Sequence, residues 1–103
     1  MAYAVVWSED GGPDFAGKLE LEDESVVLSG TAPAALESLR RVPLSELADA
    51  HLGRLSRRRG GADTGLVLVR RDGGRVEIVS LEGAGALHEL LERLALARGN
   101  AAP

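Results

Sequence analysis

Leu87, Leu90, Leu91 and Leu94 fall at i, i+3, i+4 and i+7 in the stretch Ala84 to Arg98, with Ala97 or Arg98 continuing the stripe. This is one apolar face of an amphipathic helix. Glu82 near its start and Arg98 near its end suit the helix dipole, and Gly99 is a natural cap. Most of the preceding chain is patterned as strands. A strand run followed by one helix requires the helix to cover an open end or face of the sheet structure.

The strand pattern is clearest from Phe15 to Glu22. Phe15, Gly17, Leu19 and Leu21 alternate with Lys18, Glu20 and Glu22, as in a half-buried antiparallel strand. Asp23-Glu24 turns the chain and Ser25 to Gly30 returns as the hairpin partner. Ala2 to Trp7 is a first strand, and the polar, glycine-rich 8–14 stretch is a loop. The 31–39 segment is open between a helical turn and a long connection. Arg40 to Leu44 reads as an edge-type strand, because Pro43 cannot donate to a ladder. Ser45 to Leu47 turns, and Ala48 to Ser56 is a further strand. Arg57 to Thr64 is expected to be a loop. Gly65 to Arg71 is apolar on both faces and is placed centrally. Asp72-Gly73-Gly74 is a tight turn into the partner strand Arg75 to Leu81.

The fold class expected is therefore α+β and mainly β: about seven antiparallel strands in two packed sheets, with one C-terminal capping α-helix. Residues 1–99 form a single domain, and 100–103 a flexible tail. The 103 residues, 45% hydrophobic and 27% charged, have enough apolar content to fold around one core rather than remain disordered. With three aromatics in all, that core is built mainly from Leu, Val and Ala.

Three stretches resemble the pleckstrin-homology-like superfold, in particular its small bacterial members. Gly17-Lys18-Leu19-Glu20-Leu21 with Val26-Val27-Leu28-Ser29-Gly30 is similar to the second and third strands of that family. Val42-Pro43-Leu44-Ser45-Glu46-Leu47 resembles the stretch entering its second sheet. The Asp72-Gly73-Gly74 hairpin and the Leu87–Leu94 helix resemble its last hairpin and capping helix. The resemblance implies a PH-like barrel and a binding module, for phosphoinositides in some members and for peptides or protein surfaces in others. In the loop after the first strand, where lipid readers carry basic residues, this chain has Glu9, Asp10 and Asp14, which repel an inositol phosphate.

Net charge is −4 but uneven. Residues 1–37 carry one lysine against eight acids, and residues 38–75 carry nine arginines against four. Such asymmetry marks a binding face or is satisfied internally by acidic strands beside basic ones. Arg54, Arg57, Arg58 and Arg59 are the candidate anion-binding residues, since guanidinium forks grip phosphates and carboxylates. A solvated charged loop is the competing reading. Nucleic acid is disfavoured by the net negative charge and by the few aromatics available for stacking.

The absence of cysteine excludes disulfides, zinc-thiolate sites and a cysteine nucleophile. His51 and His88 are far apart and form no metal motif. No serine occupies a nucleophile elbow, and none of the three Gly-Gly pairs leads into a phosphate loop. Glu20 and Glu22 share a strand face but are too few for a hard-cation site. No apolar run approaches the roughly 20 residues of a membrane span, and no signal peptide is evident, so the expected location is cytoplasmic.

The sequence thus points to a non-enzymatic interaction module without a cofactor. It would bind a protein partner, or itself, through a sheet edge or groove. The alternative is binding of an anionic ligand or acidic membrane surface through the arginines.

Overall fold

The computed structural model describes residues 2–33, 36–59 and 61–101, excluding the side chains of 59, 84 and 99–101. Seven strands precede one helix: β1 (Ala2–Glu9), β2 (Phe15–Leu21), β3 (Ser25–Ala32), β4 (Leu36–Pro43), β5 (Leu47–Arg59), β6 (Ala62–Arg70), β7 (Arg75–Ser80) and α1 (Ala84–Ala101). A 3-10 turn, Leu44–Glu46, joins β4 to β5.

The expectation of two packed sheets is corrected: all seven strands form one antiparallel sheet, in the order β4-β3-β2-β1-β7-β6-β5. β1 provides the continuity. It pairs with β2 from Ala2 to Trp7 and with β7 from Val5 to Glu9, so no break separates the two halves. Alternation along a strand reveals its two faces but not its neighbours, and so could not distinguish one sheet from two.

The sheet is rolled without being closed. Its two edge strands, β4 and β5, are joined through only three residues. Four virtual bonds span at most about 15 Å, whereas the edges of a flat seven-stranded sheet lie about 29 Å apart. The edges must therefore approach at that end. Two glycine pairs, Gly17 with Gly30 and Gly53 with Gly65, leave bare backbone in the sheet. A Cβ on Gly17 would lie 2.1 Å from the Ser29 carbonyl oxygen, and one on Gly65 would lie 2.3 Å from that of Ile78. Such close approach is possible only for glycine and suits sharp bending. Near the first pair, Trp7 donates its indole N–H to the Ser29 carbonyl at 3.1 Å and stacks on Phe15, with ring centroids 4.8 Å apart.

The concave face gathers Tyr3, Val5, Trp7, Leu19, Val26, Leu28, Leu66, Leu68, Val76 and Ile78 into one core. α1 adds Leu87, Leu90 and Leu94, as its periodicity required, and packs against β5, β6, β7 and the 3-10 turn. Each fully buried leucine contributes roughly 1.5–3 kcal/mol. The helix continues to Ala101, so Gly99 does not end it and the expected tail is helical through residue 101. The tail sequence Asn100 to Pro103 carries no apolar spacing that would mark a helix. Glu82, two residues before the helix, accepts the Ala4 N–H on its carboxylate at 2.7 Å. No helix of the described residues is long and apolar enough to cross a membrane.

Three boundaries differ from expectation. The open 31–39 segment supplies the end of β3 and half of β4. Arg57 to Arg59 lie in β5, and Ala62 to Thr64 in β6, rather than in a loop. The cause is a long-range contact. Between the pairs Arg54–Thr64 and Arg59–Ala62, β5 carries extra residues that its neighbour does not match. Glu77 on β7 accepts the Ser56 N–H at 2.9 Å and the Ser56 hydroxyl at 2.8 Å, and so replaces the missing ladder partner. Leu55 then packs with Val67 and Val79 on the outer face, which explains why β6 is apolar on both sides.

Candidate interaction edge

The arginines singled out above do not converge. Arg57 donates to the Gly12 carbonyl at 2.7 Å and to the Asp14 carboxylate at 2.9 Å, tying the β1–β2 loop to β5. Arg58 donates to the Gly61 carbonyl at 3.2 Å and lies 3.8 Å from Asp63. Arg54 is exposed, and its carbonyl accepts from Arg75 at 3.0 Å. The side chain of Arg59 lies outside the described residues.

The uneven charge is largely met within the chain. Glu9 pairs with both Arg40 and Arg70, Asp10 and Asp72 with Arg70, and Glu22 with Arg41. The Arg75 N–H, bonded to Asp10, and the Arg70 guanidinium hold the Asp10 carboxyl below its ordinary range. The Gly74 N–H and then Arg70 do the same for Asp72. Acidic early strands thus neutralise basic middle strands, one of the two outcomes the charge distribution allowed.

The two sheet edges are treated differently. On β5, the Arg98 guanidinium at the end of α1 donates to the carbonyls of Leu47 and Ala48, and Arg75 donates to that of Arg54. On β4, the backbone alternates. Leu44 N–H bonds the Glu24 carbonyl at 2.8 Å, which fixes the phase. Val42, Arg40, Ser38 and Leu36 therefore turn their backbone groups to β3, and Glu37, Leu39 and Arg41 turn theirs outward. Among the described residues, nothing bonds those outward groups. Pro43 lies in the outward phase at the end of the strand, so its missing N–H costs no ladder bond and limits the free row. This agrees with the edge-strand reading of Arg40 to Leu44.

Side chains along β4 match an interaction surface. Leu39 is 71% exposed and Leu36 55%. Two shallow depressions adjoin the strand: about 660 Å³ lined by Glu22–Ser25, Arg41 and Pro43, and about 480 Å³ lined by Ser29–Thr31 and Glu37–Leu39. Sequence reasoning did not single out Leu36 and Leu39. Their only local signal was an apolar pair in a stretch that also suited a helix.

The two histidines and the acidic pair lie apart, and among the described residues no group of three or more potential metal ligands forms. His51 contacts Asp49 at 2.6 Å with both side chains exposed. Glu20 pairs with Lys18 at 2.9 Å. Searches against protein-family models, curated proteins and solved structures give no match to this chain.

Proposed function

We propose that this chain is a non-enzymatic interaction module that takes an extended protein segment as an added strand along β4. The observation that carries this is the outward row of N–H and C=O groups at Glu37, Leu39 and Arg41 beside an exposed Leu39. Main-chain hydrogen bonds supply affinity in strand addition, and side-chain contacts on alternate residues supply selectivity. The sequence resemblance to the PH-like superfold, in which binding modules are the rule, is in keeping with this reading. An anion site at Arg54, Arg57, Arg58 and Arg59 has less support, since Arg57 already bonds the β1–β2 loop and Arg58 the Gly61 carbonyl.

The test is a display selection of random extended heptapeptides on the wild-type chain and on Leu39→Pro. The substitution removes an outward N–H and no ladder bond to β3. Peptides retained by wild type and lost by L39P support strand addition. Peptides retained equally by both, or binding only to acidic vesicles, refute it.

A further inference from the structure

We infer that the segment fitting β4 best is β4 of a second copy of this chain, paired antiparallel about a two-fold axis at Leu39. This rests on the strand-addition reading and specifies its partner. In a two-fold pair centred on Leu39, each Leu39 opposes its equivalent. Glu37 then lies opposite Arg41 of the partner subunit, and Arg41 opposite Glu37 of the partner subunit. The three residues with outward backbone groups are the same three that this register opposes, so all three N–H groups of each copy find a carbonyl. A shift of two residues in one direction sets Glu37 against Pro43 of the partner subunit, which has no N–H to give. A shift the other way takes Arg41 beyond the Leu36 start of the strand. The shift toward Pro43 keeps as many N–H···O bonds, because the Pro43 carbonyl still accepts, but it sets Leu39 against Arg41 of the partner subunit and Glu37 against proline; the centred register is the one that matches charge.

The side chains agree. Opposite charges directly across an antiparallel pair are favourable and like charges are not. Glu37, Leu39 and Arg41 share the outer face of the sheet, and all three are exposed. The Arg41 guanidinium is held beside Glu22 and Ser25 on that face, which orients it before association. The two exposed Leu39 side chains become neighbours at the centre. A surface patch that pairs with itself is what two-fold symmetry requires, and the product is a continuous sheet running through both copies.

Sedimentation from about 5 to 500 µM tests this over the range of weak strand-mediated association. The wild-type chain should form a dimer that weakens with added salt. L39P should be monomeric throughout. E37R and R41E should each weaken association by about tenfold or more, because each places like charges opposite one another twice per dimer. Mixing E37R with R41E should restore a heterodimer, since each acid again faces a cation. The chain has no cysteine, so L39C adds the only thiol; mild oxidation should crosslink L39C across the axis and leave D63C uncrosslinked. A wild-type monomer at the highest concentration overturns the inference, as does a dimer indifferent to L39P and E37R. So does a mixture no tighter than its components when both variants fold. If R41E does not fold, L39P, E37R and the crosslink decide. If the chain stays monomeric while heptapeptides still select β4, only the second copy is lost; if neither binds, both readings fall.

Discussion

Replacing Glu77 by alanine should cost about 3 kcal/mol of folding stability, although its sequence context is that of a surface residue. Glu77 is 3% exposed and faces the outer side of the sheet. Its carboxylate accepts the Ser56 N–H and hydroxyl and the Arg75 guanidinium, at 2.8 to 2.9 Å. Ser8 lies directly opposite it on β1 and is 1% exposed, so water has no easy access from that side. Alanine leaves the Ser56 N–H and hydroxyl and part of the Arg75 guanidinium without the buried carboxylate that accepts from them. Breaking one partner of a buried charged network costs about 3–5 kcal/mol. The lower end applies because Arg75 is 44% exposed and regains solvent. Glu77→Gln keeps an acceptor for Ser56 and should cost about 1–2 kcal/mol. Urea denaturation followed by the fluorescence of buried Trp7 measures both. A loss below about 1 kcal/mol for alanine, with the slope against urea unchanged, would refute the role given to Glu77. Equal losses for alanine and glutamine would also count against it.

Two further perturbations follow from the geometry. Gly17→Ala places a methyl group against the backbone of Ser29 and Gly30 and should cost more than about 2 kcal/mol. Gly53→Ala meets only the movable His51 ring at 3.0 Å and should cost much less; equal effects in urea denaturation would sink the argument. Asp10 and Asp72 have lowered carboxyl pKa values in the folded chain, so their contribution is present above the ordinary aspartate value of 3.8 and is lost as pH falls through the lower folded value. Asp10→Asn should flatten the acid limb of stability against pH without abolishing it, because Asp72 still titrates there; an unchanged limb would refute the coupling.

What the sequence made legible follows from the range of the signals. The Leu87–Leu94 stripe and the alternation from Phe15 to Leu21 are local, and both elements appear where they were expected. The Asp72-Gly73-Gly74 turn also forms, with Gly73 at φ 92° and the Asp72 carboxylate accepting the Gly74 N–H at 2.7 Å. The continuation of β5 through three arginines was not legible, because Glu77, twenty-one residues away from Ser56, determines it. The single sheet was hidden for a similar reason: whether β1 pairs with β7 is decided by residues at opposite ends of the chain. The candidate arginines were found by charge density alone, which does not reveal that Asp14 and the Gly12 carbonyl occupy Arg57. The free row on β4 was invisible, since it is defined by which strand has no neighbour.

The pairing of β1 with β7 also sets an order of events during synthesis. Val5 meets Ser80, and the Ala4 N–H waits for Glu82. The hairpins β1–β2 and β6–β7 close over short loops, but the seam between the two halves joins residues more than sixty positions apart. Closing so long a loop comes late, and topologies dominated by such contacts fold slowly. On the ribosome, β1 emerges before the other six strands and stays open along one side until residue 80 has been made. For that interval its Tyr3, Val5 and Trp7 face lacks the helix end that later closes the core, and a nascent chain is most exposed to misassembly there.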